Sequence, residues 1–185
     1  MCTLLTEKVR IEQTSKKRIF KILDNELYQD NDGYLYIVPR YFQTDNYSIP
    51  LWVAVIGGSP VDVCITPSHL HDYACDTHSM VYTTLTIEEL KEKNLLRFSE
   101  SRKMWVCEDI PKEYLKIRPF NKLQANNLLY RAMKASGVTL IRRVIIRLGV
   151  CLNLNWYIMK WLKRIINVDL DKFYDSDYWD SRIPI

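Results

Sequence analysis

The chain has 185 residues, 48% of them hydrophobic, with only five Gly and seven Pro, which is the composition of one globular domain and excludes a low-complexity chain. Its net charge of +4 is too small to indicate nucleic-acid binding by itself. No apolar run approaches the roughly 20 residues that span a bilayer, no signal peptide is evident, and five cysteines without CxxC spacing predict reduced thiols in the cytoplasm.

A β-hairpin is predicted near the N-terminus. Residues 18–28 alternate weakly between apolar and polar side chains, and "YLYIVPRYF" at residues 34–42 is rich in aromatic and β-branched residues. The turn sequence "QDNDG" separates them, and Gly33 is able to take a positive φ there. In the following "TDNYSIP", Asp45 and Ser48 are short side chains that bond nearby backbone amides, so we expect a tightly specified loop.

The rest of the chain is predicted to be mostly helical. Thr66 followed by Pro67 marks a helix start, and "TIEE" from Thr86 is a capping box that opens a helix to about Leu96. "NKLQANNLLYRAMKASG" predicts a helix ended by glycine, and a further helix follows, either continuous or broken near Gly149. The predicted fold class is α+β, a mostly helical single domain with a short N-terminal hairpin. The apolar residues on one face of the last helix are Leu140, Ile141, Val144, Ile145 and Leu148.

Charge is distributed unevenly along the second half of the sequence. Residues 131–164 carry eight Lys or Arg and no acid, whereas residues 169–180 carry five Asp and a single Lys. The simpler interpretation is that the basic helix and the acidic tail neutralise each other within the fold; alternatively, each faces a partner of opposite charge. Arg142, Arg143 and Arg147 would form a basic face for nucleic acid, but no known motif surrounds them, so nucleic acid is not the expected partner.

All three histidines lie within ten positions on one predicted helix. His71, Cys75 and His78 share a face at i, i+4 and i+7, a spacing that suits zinc, but no fourth ligand or paired motif accompanies them, so no metal or cofactor is predicted. A second interpretation is an acid–base pair, in which Asp45 from the loop is a better partner for His71 than Asp72, because adjacent helix residues do not face each other. A third is that imidazole and carboxylate tie the loop to the helix.

A family resemblance rests on four segments in this order: "FQTDNYSIP", "HLHDY", "NKLQANNLLYRAMKASGV" and "RRVIIRLGV". They resemble the domain of unknown function 1353, a family from phages and prophages, over roughly residues 34–157. The family pattern places an acid in the later helix where this chain has Asn126, which cannot stabilise an imidazolium as a carboxylate does. The positions that match the family's loop and helix motifs are Thr44, Asp45, Ser48, Ile49, Pro50, His71, Asp72 and Tyr73.

The resemblance implies a phage or prophage gene and a division of the chain. Residues 1–166 would form one α+β domain, residues 81–120 an insertion within it, and residues 167–185 an acidic, aromatic extension. His-Asp-Tyr on one helix with an acid on a second is also similar to the layout of secreted phospholipase A2, although neither that enzyme's glycine-rich calcium loop nor its disulfides are visible in this sequence.

A binding protein is the favoured function at this point. It would be a phage accessory protein, in the host cytoplasm or the virion, that binds a host or phage protein. The contact surface would be residues 81–120 or the aromatic tail with Tyr174, Tyr178 and Trp179. The sequence does not give the oligomeric state.

A hydrolase is the alternative, so the sequence leaves open whether the chain is an enzyme. His71 would deprotonate a water or the Ser48 hydroxyl, while Asp45 or Asp72 orients the imidazole ring. Lipid or peptidoglycan of the cell envelope would be the substrate. Backbone amides of the Gly-Gly turn at residues 57–58 would be candidates for stabilising an oxyanion.

Overall fold

The structure of the protein is a computed structural model that describes residues 3–6, 10–15, 19–44 and 65–152. Nearly all of them belong to the first of the chain's two compact units, Met1–Cys151; the second is Leu152–Ile185. In chain order the elements are β1 (Thr3–Leu4), β2 (Ile11–Gln13), β3 (Phe20–Ile22), β4 (Glu26–Gln29), β5 (Leu35–Val38), β6 (Gln43–Thr44), α1 (Ile65–Thr77), β7 (Ser79–Thr83), α2 (Ile87–Glu92), β8 (Leu96–Ser99), β9 (Met104–Cys107), a 3-10 turn (Lys112–Tyr114), β10 (Leu115–Pro119), α3 (Lys122–Ala135) and α4 (Leu140–Leu152).

An antiparallel sheet of five strands, in the order β1–β4–β5–β7–β10, forms the centre of the fold. β4 and β5 form the predicted hairpin, with Glu26 opposite Val38 and Gln29 opposite Leu35. The turn between them contains Gly33 at φ +83°, a left-handed conformation that glycine adopts without strain. Two smaller antiparallel sheets, β2–β3–β6 and β8–β9, complete the strand structure of the described part of the chain.

The central strands are buried on both faces because the sheet lies between two apolar cores. Along β5, Leu35 and Ile37 face one core while Tyr36 and Val38 face the other, as the two-residue period of a strand requires. α1 and α3 cover the Tyr36 side of the sheet. α2 and the β8–β9 hairpin cover the opposite side, where Leu90 is fully buried. Every side chain of β5 is therefore buried, and the strand does not show an apolar–polar alternation.

Capping signals in the sequence fix the starts of two helices. Thr86 and Glu89 form the predicted capping box at the start of α2, and Asn121 and Gln124 form another at the start of α3. The chain leaves α3 through Gly137, which has a φ of +76°. The prediction of a glycine-terminated helix in this segment is confirmed.

The prediction of a mostly helical domain is wrong. The described residues form three antiparallel sheets beside four α-helices, so the class is α+β without a helical majority. The strands have two to five residues each, which is too short for a two-residue period to stand out in the sequence. α1 includes Ile65, so Thr66 and Pro67 lie in its first turn. α2 ends at Glu92 and does not reach Leu96, the predicted end, where β8 begins instead.

The last described helix, α4, also differs from its prediction. It continues through Gly149, and the side chain that it buries most fully is Ile146, which packs against Leu129 and Met133 of α3. A helical period identifies an apolar face but does not say which element covers it, and here the predicted stripe is turned away from α3. Its exposed members are Leu140, Ile141, Val144 and Leu148.

The segment of residues 81–120 begins and ends in the central sheet. β7 and β10 pair with each other along their length, with Ser79 opposite Pro119 and Thr83 opposite Leu115, and the residues between them form α2 and the β8–β9 hairpin. The proposed insertion and the domain boundaries stay predictions, and residues 167–185 lie outside the described residues. None of the described helices combines the length and apolar character needed to cross a membrane.

Candidate functional site

α1 carries several polar side chains into the interior of the protein. Thr66, Ser68, His69, His71 and Asp72 are all buried, although helix positions that face a core are normally apolar. Buried polar groups are stable only when they find hydrogen-bond partners within the fold. For the two histidines and Asp72, these partners come from β4, β6, α3 and α1 itself, and they define two sites, one around His71 and one around His69.

The His71 cluster consists of His71, Asp72, Cys75, Thr44 and Asn126. Nε2 of His71 lies 2.9 Å from Oδ1 of Asn126 on α3 and 3.5 Å from Sγ of Cys75, one turn later on α1. Nδ1 of His71 lies 3.4 Å from Oδ1 of Asp72. Oδ2 of Asp72 accepts a 2.7 Å hydrogen bond from the Thr44 hydroxyl at the end of β6. The cluster therefore joins three elements, β6, α1 and α3, that are distant in the sequence.

Both ring nitrogens of His71 face groups that favour its protonated form. The amide oxygen of Asn126 only accepts hydrogen bonds, so Nε2 carries a hydrogen, and Nδ1 faces a carboxylate. Burial alone lowers the pKa of His71, but the hydrogen bond with Asp72 and the contact with Cys75 outweigh burial and raise the pKa to about 10. These contacts favour the imidazolium form of His71, in which neither ring nitrogen has a free lone pair to accept a proton.

The second site is a buried pair between β4 and α1. Nδ1 of His69 lies 2.5 Å from Oε1 of Glu26, and both side chains are fully buried. Burial raises the pKa of Glu26; it would lower that of His69, but the charge of Glu26 outweighs burial and raises the pKa of His69. Oε2 of Glu26 has no hydrogen-bond partner in the described part of the chain. Glu26 reaches α1 because alternate residues of a strand share a face, and Tyr28, two positions later, lies in the core that α1 covers.

The structure brings two of the predicted catalytic residues into one cluster. His71 and Asp72 are in contact although they are adjacent on the helix, at the long distance of 3.4 Å that their directions impose. Asp45 and Ser48 lie outside the described residues, so their convergence on His71 stays a prediction. Thr44, the residue before Asp45, does reach the cluster through Asp72.

The alternative zinc set does not assemble around His71. Cys75 is close to His71, but His78 is exposed at the end of α1. Across the described ranges, no three His, Cys, Asp or Glu side chains are grouped as metal ligands. Cys75 is a free thiol, and its contact in the structure is with the imidazole ring.

The predicted binding residues fall into two groups. Arg142 is exposed on α4, whereas Arg143 and Arg147 are partly buried over the ring of Tyr130, with their guanidinium carbons 5.1 and 5.2 Å from its centroid. The three arginines therefore do not present one uniform basic face. The tail residues Tyr174, Tyr178 and Trp179 lie outside the described residues.

Sequence reasoning missed several members of the two sites. Glu26 stands in a segment that was interpreted only as a strand, and His69 was not assigned a partner. Thr44 matched the family's loop motif but was not given a role, and Cys75 was considered only as a zinc ligand. The stretch "ILDNELY" places two acids, Asp24 and Glu26, between apolar residues, and this is the signal in the sequence that points to a buried charged group.

Comparison with protein families places this geometry in a wider context. A family model described as a protein of unknown function, DUF1353, matches residues 20–150. The chain belongs to the DUF1353 family. No curated protein and no solved structure matches it. In this DUF1353 protein, Asn126 occupies the position where the family resemblance leads us to expect an acid, and it is this side chain that meets Nε2 of His71.

Proposed function

We propose that this DUF1353 protein is a bacteriophage-encoded accessory protein that acts in the host cytoplasm by binding a host or virion protein. The His71 cluster is structural in this proposal. The observation that carries it is the environment of His71, whose two ring nitrogens both face groups of the protein itself and which is only 6% exposed.

The same geometry argues against His71 as a general base. A general base needs an unprotonated nitrogen within reach of water or substrate, but both ring nitrogens of His71 face groups of the protein, and these contacts favour the protonated ring. Asp72, its nearest carboxylate, is already bonded to Thr44. These contacts link β6 and α3 to α1, in addition to the apolar packing between the two helices, so the cluster fits a clasp that holds three elements together.

The β8–β9 hairpin supplies a candidate contact surface within residues 81–120. Phe98 is 43% exposed and meets Trp105 edge to face, with 5.7 Å between ring centroids. Nζ of Lys91 lies 4.9 Å above the Trp105 ring. Aromatic side chains are enriched in protein–protein contacts relative to the rest of the surface. The aromatic tail with Tyr174 and Tyr178 is the second candidate surface.

A comparison of matched variants tests the binding proposal. The full chain, Phe98→Ser, Ile117→Ser and a chain lacking residues 170–185 are each used to recover partners from a host lysate. Ile117 is the control, because it is 72% exposed on β10 and outside the hairpin. A specific partner that is retained by Ile117→Ser and lost by Phe98→Ser or by the truncation supports the proposal. Identical recovery by all four proteins contradicts both candidate surfaces.

A hydrolase is the second candidate function, and the contact between His71 and Asn126 is what favours it. The chain keeps a polar partner on α3 at the family's acidic position, and a thiol, Cys75, lies beside the ring. Hydrolysis of phospholipid or peptidoglycan by the full chain, abolished in His71→Asn with unchanged stability, would replace the binding proposal. Asn126→Asp, which restores the family's acid, should raise such an activity and should have no catalytic effect on a purely structural cluster.

A further inference from the structure

The outward face of α4 is apolar along the whole described helix. The side chains of Leu140, Ile141, Val144 and Leu148 are between 41% and 73% exposed, whereas Ile146 on the other side packs against α3. With 3.6 residues per turn, the four exposed side chains fall within an arc of roughly 100°. An exposed apolar stripe of this kind is normally covered by a partner or a membrane.

The charge around this stripe is of one sign. Arg143 and Arg147 border it on one side, where they lie against Tyr130, whereas Arg142 is exposed about 100° further round the helix from Ile141, towards the side of Ile146. Nowhere in the described ranges do these three arginines form an ion pair with a carboxylate. Within the described part of the chain, residues 114–152 contain eight Lys or Arg and no Asp or Glu. The surface is thus matched to an anionic partner that also accepts apolar side chains.

We propose that α4 docks on an anionic phospholipid surface, lying in the plane of the interface with its apolar stripe inserted and its arginines at the level of the headgroups. A helix with one exposed apolar face and flanking basic residues has the pattern of interfacial membrane helices. Anionic lipid headgroups attract basic residues next to the membrane, and the acyl boundary takes the apolar stripe. Nucleic acid would use the arginines but would leave four apolar side chains in water. The proposal goes beyond protein binding through the β8–β9 hairpin, because it uses a different surface.

Vesicle co-sedimentation of the full-length protein tests the proposal. Vesicles of phosphatidylglycerol and phosphatidylcholine are compared with vesicles of phosphatidylcholine alone, at low and at physiological salt. Ile141→Asp, with its side chain in the stripe, is compared with Ile117→Asp, because the two isoleucines are 73% and 72% exposed. Thermal melts of both variants establish that each is folded.

The expected result is binding to the anionic vesicles that weakens with salt. Ile141→Asp should lower the affinity by at least about tenfold, and Ile117→Asp should leave it within about twofold. Arg143→Gln should weaken binding more than Lys116→Gln, which changes an exposed lysine on β10.

Four results overturn the proposal. The first is the absence of binding to anionic vesicles at low salt, and the second is an equal loss of binding in the two isoleucine variants. The third is a concentration-dependent dimer that Ile141→Asp dissociates, because a second copy of the chain would then cover the stripe. The fourth is binding to an oligonucleotide that Arg142→Gln abolishes and Ile141→Asp leaves intact, without binding to vesicles.

Discussion

Replacing His71 by asparagine should destabilise the protein, whereas the same replacement of His78 should not. The first change removes the 2.9 Å hydrogen bond to Asn126, and it leaves the amide oxygen of Asn126 without the imidazole donor in the interior. A buried acceptor left without a donor costs about 1–3 kcal/mol, and the lost attraction between the imidazolium and Asp72 adds roughly 1 kcal/mol. We therefore expect His71→Asn to lower the free energy of unfolding by about 2–4 kcal/mol.

His78, the residue directly after the same helix, provides the matched control. It is exposed, and its φ of +50° is a conformation that asparagine tolerates well. His78→Asn should change stability by no more than about 0.5 kcal/mol. Urea unfolding followed by circular dichroism measures both variants, and the corresponding shift in Tm for His71→Asn is roughly 4–16 °C for a chain of this size.

The pH dependence of stability gives a second measure of the same interaction. The folded-state pKa of His71, about 10, is above its ordinary value of 6.5, so the folded state binds the proton more tightly than the unfolded state. The contribution of His71 is then complete below pH 6.5 and is lost as pH rises through 10. Across this range the stability difference between the parent and His71→Asn should shrink steadily as pH rises, by no more than the whole difference of about 2–4 kcal/mol.

The structural role of His71 would be refuted by a simple combination of results. Two results together would show this. His71→Asn would unfold at the same urea concentration as the parent, and the difference in unfolding free energy between the two proteins would not change between pH 6.5 and pH 10. The ring would then neither stabilise the contacts between the three elements nor carry a positive charge. His71 would then have no structural role, and the hydrolase would become the favoured function.

Three further predictions concern stability, each measured by urea unfolding against the parent protein. His69→Phe leaves the buried carboxyl of Glu26 without its partner and should lower the free energy of unfolding by about 3–5 kcal/mol. Most of this stability should be recovered in the Glu26→Leu/His69→Phe double variant. A His69→Phe variant as stable as the parent would contradict the prediction. Asp30→Asn disrupts two hydrogen bonds of 2.7 and 2.6 Å with Arg131 and should lower the free energy of unfolding by about 1–3 kcal/mol. An unchanged urea midpoint would show that this pair does not stabilise the protein. Gly137→Ala has no steric obstacle within 4 Å but must keep a φ of +76°, and it should cost about 1 kcal/mol; a gain in stability would show that the turn rearranges.

Local signals in the sequence were sufficient for several elements of the fold. The turn residues around Gly33 and the capping box at Thr86 act through neighbouring backbone atoms, so they are visible without knowledge of the rest of the chain. The outward face of α4 was not predictable in the same way. Its apolar stripe has the period of a helix, but the element that α4 packs against is decided by α3 and by contacts such as Ile146 with Met133.

The candidate site shows the same division between local and distant information. The helix that bears His71 and Asp72, and the placement of Asn126 on a later helix, follow from sequence patterns and the family resemblance. The contact of Thr44 with Asp72 spans 28 positions, and that of Glu26 with His69 spans 43, so neither leaves a periodic signal in the chain. Only the packing of α1 onto the central sheet and onto β6 of the second sheet creates these partnerships.

The Glu26–His69 pair has a consequence for how openings of the core are observed. A hydrogen held between Nδ1 and Oε1 at 2.5 Å, within fully buried side chains, has no contact with bulk water while β4 and α1 stay packed. Its exchange with solvent must wait until the helix separates from the sheet. The solvent-exchange rate of this one far-downfield proton resonance would thus report how often the helix separates from the sheet, without any ligand or activity assay.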